Sequence, residues 1–261
     1  MGSIQQTLAS FGGGATIDPD AAAFLTATGI VDPTITSAID TLCIDLKAAS
    51  LWTPMFAVYP FVGGTATAHK FNLKDPQDTN GAFRIAWGGT VTHAAAGITG
   101  NGTTGFGDTF LAPSTTIPAN EGSLGVYVST NASLSCIEIG AETAGAQQMS
   151  IATNVGTEYY VAASGGQNSG VAGAAGFHQV SRVDASNQIY KVANGAASSG
   201  ASAYNAPTRT VYLCARNDGY AAWTSSRTIS FAYIGRSLTS GELTSFYVAV
   251  QAFQTTLGRN V

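Results

Sequence analysis

The sequence predicts an all-β fold, an antiparallel β-sandwich, for most of its 261 residues. From Met55 onward, short apolar or alternating runs are separated by Gly, Asn, Asp and Pro, which is the pattern of a sandwich. Hydrophobic residues make up 45% of the chain, enough for a full core. Because sandwiches of this length commonly form single units, we expect one large β domain.

The first part of the chain, residues 1–31, is expected to be a flexible arm suited to anchoring on a larger assembly. It is rich in Gly, Ala and Thr and shows no sustained periodicity. It also lacks the basic start and uninterrupted apolar stretch of a signal peptide, so none is expected. No run approaches the roughly 20 apolar residues of a membrane span, so no span is expected either.

An amphipathic helix is predicted over residues 32–51. Asp32 can cap it and Pro33 suits its first helical position. Apolar residues then recur every three or four positions along one face. They are Ile35, Ile39, Leu42, Leu46 and Ala49.

Residues 52–238 are predicted to form the sandwich. Its strand candidates are short runs bounded by turn residues. They are Met55–Tyr59, Arg84–Trp87, Leu124–Ser129, Cys136–Gly140, Gln148–Ala152, Tyr159–Ala163, Phe177–Val183, Ile189–Ala193, Thr210–Ala215 and Thr228–Ile234.

In the last of these candidates, Ile229, Phe231 and Tyr233 alternate with Ser230 and Ala232. This period of two predicts a strand that buries one face and exposes the other.

A C-terminal helix, within residues 239–261, is expected to pack on the sandwich. Thr239 and Glu242 have the spacing of a capping box, in which each side chain bonds to the other residue's amide. The helix is expected to cover about Ser240 to Leu257, with Gly258 just beyond its end.

Two parts of this pattern resemble a known fold family. The strand, turn and capped helix at Ile229–Tyr247, and the strand with an Asn-Gly turn at Ile189–Gly195, resemble laminin-G-like, concanavalin-A-like jelly rolls. The resemblance implies that the sandwich belongs to this concanavalin-A-like (laminin-G-like) class. It also implies that calcium could bind, since such folds often hold it at a sheet edge.

A wider resemblance runs from Ala23 onward, through Tyr59–Gly64 and Phe71–Pro76 to the tail Phe253–Arg259. These segments resemble proteins of tailed bacteriophages. The resemblance implies a structural virion component, in a fibre, a tail or a head decoration, made in the host cytoplasm and released by lysis. It implies other virion proteins as partners through the N-terminal arm, and a homo-oligomer.

Two other functions remain open at this point, a glycan-binding adhesin and a β-glucanase-like glycosidase. The composition argues against nucleic acid as a partner. The net charge is −4 and only four lysines occur, whereas phosphate binding needs clustered basic residues. Cys43, Cys136 and Cys214 are odd in number and widely spaced, which predicts buried free thiols.

The glycosidase hypothesis depends on Glu138 and Glu142, which have the spacing of the Glu-x-Asp-x-Glu strand of concanavalin-like retaining β-glucanases. Residues i and i+4 of a strand share a face, so two carboxylates could converge on one glycosidic bond. Gly140 replaces the middle acid of that motif. The alternative is a strand in which Ile137 and Ile139 face the core and both acids are solvated, and we therefore expect no enzyme activity.

The glycan-binding hypothesis depends on Tyr220 and Trp223, which follow a predicted turn at residues 217–219 and could stack on sugar rings. Apart from calcium, no cofactor is expected. Calcium could be held by oxygen atoms of Asp75, Asp78 and Asn80 in a polar turn, although such turns also form without metal.

Overall fold

The structure is a computed structural model that describes residues 16–130, 136–144, 147–152, 159–164, 168–169, 175–201 and 203–261. The described residues contain helices α1 (Pro19–Thr28), α2 (Pro33–Ala48), α3 (Ala66–His69), α4 (Pro113–Thr116) and α5 (Ser240–Thr256), and a 3-10 turn at Asn80–Ala82. Among them, no helix combines the length and the apolar character that crossing a bilayer requires.

Helix α1 corrects the expectation of an arm over residues 1–31. Asp18 caps it by accepting a hydrogen bond from the amide of Asp20, and Pro19 opens its first turn. Gly29 ends it in the left-handed conformation, with φ of +68°. Its side chains at Phe24 and Leu25 are buried, so this segment is part of the fold. Residues 1–15 lie outside the described part of the chain.

Helix α2 confirms the predicted amphipathic helix. The carboxylate of Asp32 accepts hydrogen bonds from the amides of Thr34 and Ile35, so the predicted cap is present. Ile39, Leu42 and Leu46 are fully buried along one face.

Seventeen strands lie in the described residues. They are β1 (Met55–Tyr59), β2 (Ala86–Gly88), β3 (Val91–Ala94), β4 (Gly97–Gly100), β5 (Phe106–Asp108), β6 (Ser123–Val128), β7 (Ile139–Glu142), β8 (Gln148–Ala152), β9 (Tyr159–Ser164), β10 (Asn168–Ser169), β11 (Gly176–Arg182), β12 (Asn187–Val192), β13 (Ser198–Ala201), β14 (Tyr212–Leu213), β15 (Arg216–Asn217), β16 (Ala221–Ala222) and β17 (Thr228–Gly235).

These strands form two sheets, so the predicted β-sandwich is confirmed. The first sheet runs β13-β12-β11-β6-β17-β4-β3, with β1 also paired to β17. The second runs β10-β9-β8-β7-β14-β5-β2, with β15 and β16 attached beside β7. The pairing is antiparallel except that β15 runs parallel to β7. The assignment to the concanavalin-A-like class stays a prediction.

Two apolar cores hold the molecule in three layers. One lies between the sheets and includes Val126, Ile151 and Leu213. The other lies between the first sheet and helices α1, α2 and α5, and includes Phe177 and Phe246. The C-terminal helix therefore covers the outer face of the first sheet.

Strand β17 differs from the prediction of a half-buried strand. Phe231 and Tyr233 face the helices, whereas Ala232 and Ile234 face the second sheet, and all four are fully buried. A register irregularity between Ile229 and Phe231 places Ile229 in the core between the sheets as well. The prediction was wrong because both faces of the strand are covered. The face of Ala232, which was expected to meet water, packs against the second sheet, and the helices cover the face of Phe231 and Tyr233.

The ends of helix α5 follow the sequence closely. Thr239 and Glu242 form both bonds of the capping box, and Gly258 follows the helix with φ of +66°. Arg259 then ties the chain end to the sandwich, because its guanidinium donates to the backbone oxygens of Pro60, Phe61 and Ser230.

The hairpin between β12 and β13 turns at the predicted Asn-Gly sequence, with the amide of Gly195 donating to the oxygen of Val192. The positive φ, +45°, falls on Ala193 and not on the Asn-Gly pair. The three cysteines are free and buried, as predicted.

Candidate functional site

The candidate site is the hairpin of β15 and β16 together with Trp223, here called the aromatic hairpin (residues 216–223). Its turn is closed by the amide of Asp218, which donates to the oxygen of Tyr220 at 3.1 Å. The amide of Gly219 donates to Oδ1 of Asn217 at 3.0 Å, and Gly219 has φ of +96°. The turn predicted at residues 217–219 is thus present, and a conformation that favours glycine is occupied by glycine.

An ion-pair network fixes this hairpin to the second sheet. Arg216 donates to both carboxylate oxygens of Asp218, at 2.6 and 2.7 Å. Its remaining Nη1 atom lies 2.5 Å from Oε2 of Glu142, at the end of β7. Since the three side chains are largely shielded from water, the network should hold the hairpin more firmly than an exposed pair would.

Both aromatic side chains predicted for binding reach solvent at this hairpin. Tyr220 is 68% exposed and Trp223 is 57% exposed. Trp223 has φ of +52°, in the left-handed region that bulky residues rarely adopt. Its backbone oxygen accepts a hydrogen bond from the amide of Ile137 at 2.8 Å, so its backbone is held by the segment before β7.

Glu138 lies beneath this surface and is fully buried, as is Arg227 to within 1%. Its Oε1 atom accepts a bond from Sγ of Cys136 at 3.1 Å and lies 3.8 Å from Nε of Arg227. Burial raises the pKa of the Cys136 thiol to about 12, and the charge of Glu138 acts in the same direction. These groups form a buried structural cluster.

The structure therefore does not bring Glu138 and Glu142 together as an open catalytic pair. Glu138 has no access to solvent, and Glu142 is engaged by Arg216. The alternative of two solvated acids was also wrong for Glu138. Ile137 and Ile139 are buried as expected, but the acid between them is buried too, because Arg227 compensates its charge.

The polar turn predicted for calcium has most of its oxygen atoms engaged. Asp78 pairs with Lys70 at 2.6 Å, and the Lys70 hydrogen bond holds the pKa of that carboxyl below its usual range. Oδ1 of Asn80 accepts from Arg84, and Oδ1 of Asp75 accepts from Gln77. Among the described residues there is no cluster of three or more His, Cys, Asp or Glu side chains that could hold a metal. Calcium binding at Asp75, Asp78 and Asn80 stays a prediction.

Sequence reasoning missed Arg209. The side chain of Arg209 lies against Gly219. A methyl group added to that glycine would be only 2.8 Å from Nη1 of Arg209. The contact joins two segments through the fold of the second sheet, and no local motif around Arg209 indicates it.

A cavity of about 640 Å³ lies elsewhere, between the connection of α1 to α2 and the loop at Gly63–Thr65. Its walls include the apolar side chains of Ile30, Val62 and Leu257. Arg259 borders it, but its guanidinium is already bonded to Gln254 and to backbone oxygens. The cavity therefore offers a ligand less free polar chemistry than the aromatic hairpin does.

No protein-family model and no curated protein matches this chain. Among solved structures, a mutant of the Trypanosoma rangeli sialidase displaying trans-sialidase activity is similar over 85% of this chain and 39% of its own, at 10% identity and a TM-score of 0.50. A mutant of HCR/D is similar over 77% of this chain and 53% of its own, at 10% identity and a TM-score of 0.51.

Domain 4 of AbnA, a GH43 extracellular arabinanase from Geobacillus stearothermophilus, solved with arabinotriose, is similar over 74% of this chain and 98% of its own, at 16% identity and a TM-score of 0.45. The chain thus spans well under two thirds of the sialidase and HCR/D chains that it matches. At 10% identity, these two likenesses establish the β-sandwich fold alone.

Proposed function

We propose that this chain is a carbohydrate-binding β-sandwich domain whose ligand lies on the aromatic hairpin. The observation that carries the proposal is the exposure of two large aromatic side chains, Tyr220 and Trp223, on one short hairpin. Clustered exposed apolar surface on a soluble domain commonly marks a binding site.

A sugar suits these side chains because its ring has apolar C–H faces and a rim of hydroxyl groups. An aromatic ring can cover a C–H face, while the phenol of Tyr220 and the indole N–H of Trp223 can bond to hydroxyls. Tyr and Trp have only two side-chain torsions, so ordering them costs little entropy. The shielded pairing of Arg216 with Glu142 and Asp218 would keep the surface in place before a ligand arrives.

The fold supports this proposal at a coarser level. The Trypanosoma rangeli sialidase mutant, which displays trans-sialidase activity, is similar over most of this chain. Because that likeness is only 10% identical, the ligand is inferred from the hairpin and not from the enzyme.

The test is binding of the purified chain to a glycan array, followed by calorimetry on the strongest ligand. Trp223→Ala should weaken binding by about 5- to 150-fold, the range expected for loss of an aromatic contact of about 1–3 kcal/mol. Val248→Ala is the matched control, because Val248 is 60% exposed on α5, which covers the first sheet, whereas the hairpin belongs to the second. If no glycan binds, or if both variants bind like the parent, the proposal is wrong.

The location on a virion and the homo-oligomer stay predictions from the resemblance to tailed-phage proteins. None of the three structures compared above is a phage protein. If the chain is displayed on a particle, carbohydrate binding at the hairpin would serve attachment to a host surface.

A further inference from the structure

Backbone hydrogen bonds of Arg209 and its neighbour Thr208 hold Arg209 beside the aromatic hairpin. Oγ1 of Thr143, just beyond β7, accepts hydrogen bonds from the amides of Thr208 at 2.7 Å and Arg209 at 3.3 Å. The hydroxyls of Thr143 and Thr208 also lie 3.1 Å apart. The segment that carries Arg209 is thus fixed to the same strand end as Glu142, which anchors the hairpin.

The guanidinium of Arg209 lies over the turn of the hairpin. A methyl group added to Gly219 would lie within 3.0 Å of its Cζ, Nη1 and Nη2 atoms, so the whole planar group faces that glycine. Gly219 directly precedes Tyr220. Burial and then the charge of Asp108 raise the pKa of the Tyr212 hydroxyl, whereas the charge of Arg209 lowers it.

Arg209 has an unused charge. Within the described residues its guanidinium makes no hydrogen bond or ion pair, although it is only partly exposed. The two acids of the hairpin network, Glu142 and Asp218, both pair with Arg216. Each of the other six arginines uses its guanidinium in a hydrogen bond or an ion pair: Arg84, Arg182, Arg216, Arg227, Arg236 and Arg259.

We propose that the aromatic hairpin selects sugars that carry a carboxylate, which pairs with Arg209 while the sugar ring lies on the neighbouring aromatic side chain. The planar guanidinium can donate two parallel hydrogen bonds to a carboxylate, a geometry that a neutral sugar cannot use. This inference rests on the proposed carbohydrate-binding function, and it adds the chemical class of the ligand.

The experiment uses a glycan array on which each uronic-acid or sialic-acid oligosaccharide stands beside its methyl-esterified counterpart, followed by calorimetry on the strongest acidic ligand and its ester. The acid should bind about tenfold tighter than its ester, as expected for one charge-assisted hydrogen-bonded pair. Arg209→Gln should remove this preference and leave the affinity for the ester unchanged, whereas Arg209→Lys should keep part of it.

Arg236→Gln is the matched control, because it removes one positive charge that is already paired with Glu121. It should leave the preference intact. If acid and ester bind equally and Trp223→Ala still weakens binding, the carboxylate inference is wrong and the carbohydrate-binding function stands. If Trp223→Ala binds as tightly as the parent chain, or if no glycan binds, the carboxylate inference and the carbohydrate-binding function are both wrong. An equal effect of Arg209→Gln and Arg236→Gln would also overturn the inference, since it would reflect net charge alone.

Discussion

Trp223 has an exposed side chain and a strained backbone conformation. Its φ of +52° lies in the left-handed region, which costs an L-residue about 1–2 kcal/mol. Such strain persists where the surroundings determine the conformation, and it is often found at functional sites. Here the bond from Ile137 to the Trp223 oxygen and the buried Ala222 hold the conformation.

This strain predicts a difference between two variants that both lack the indole. Trp223→Gly should be more stable than Trp223→Ala by about 1 kcal/mol, because only glycine adopts this φ without a steric cost. Both should bind carbohydrate more weakly than the parent chain. Urea denaturation of the two variants measures the difference. Equal stability would mean that the backbone at Trp223 is not strained.

His69 predicts a loss of stability in mild acid. It is 2% exposed, and its Nδ1 lies 3.1 Å from Nδ1 of His93. Burial, and then the charges of His93 and Arg259, lower the pKa of His69 from 6.5 to about 3. Because the folded pKa lies below the unfolded one, the stabilisation is complete above pH 6.5 and is lost as pH falls toward 3.

Between these limits, protonation of His69 lowers the free energy of unfolding by at most about 1.4 kcal/mol for each unit by which the pH falls. Urea denaturation at pH 7, 6 and 5 should therefore show a shallower decline for His69→Phe than for the parent chain. Identical pH slopes would contradict a buried neutral histidine.

The capping box of α5 predicts a measurable effect at the scale of the element. Thr239→Ala removes the side-chain acceptor for the Glu242 amide and should lower the free energy of unfolding by about 1 kcal/mol. Thr239→Ser should restore most of it. Thr244→Ala, at an exposed position inside the same helix, is the control and should be neutral or slightly stabilising. A similar loss at both threonines would contradict a specific role of the cap.

Local signals predicted those elements whose ends are set by neighbouring residues. The Asp32-Pro33 start of α2 and the Thr239 cap of α5 are both present. The start of α1 has the same Asp-Pro signal, at Asp18-Pro19, and Gly29 follows its end. It did not lead to a helix prediction, because the short segment has little apolar periodicity. Its helix is stabilised by packing against α2, which local sequence does not show.

The candidate site could be predicted from the sequence only where a turn indicates that the neighbouring side chains are exposed. Tyr220 beside Asn217-Asp218-Gly219 was expected in solvent and is exposed. Glu138 was not predictable, because its burial depends on partners such as Ser225, which is 87 residues away. Arg209 was missed for the same reason, since its position over Gly219 depends on the second sheet.

At the scale of the whole molecule, the helices and the candidate site belong to different layers. Helices α1, α2 and α5 cover the first sheet, whereas the aromatic hairpin extends from the second. A partner that bound the helical side would therefore leave the hairpin free for a ligand.

This arrangement suits the predicted display on a virion, which mass spectrometry of purified particles can test. Particles from a lysing culture that encodes the chain should contain it in a fixed ratio to the major capsid protein. Hundreds of copies would indicate head decoration, and a few to tens would indicate a tail or fibre part. Absence from the particles would contradict the virion location and leave carbohydrate binding to be judged on its own test.

The pairing of β1 with β17 joins residues that are far apart along the chain, with Met55 opposite Gly235. Strand β17 also lies between β6 and β4 at the centre of the first sheet. During synthesis, a ribosome must therefore release the chain as far as residue 235 before the central strand can enter the sheet. Since such distant pairings close slowly, the earlier strands have to remain unaggregated with their edges open until the last segment arrives.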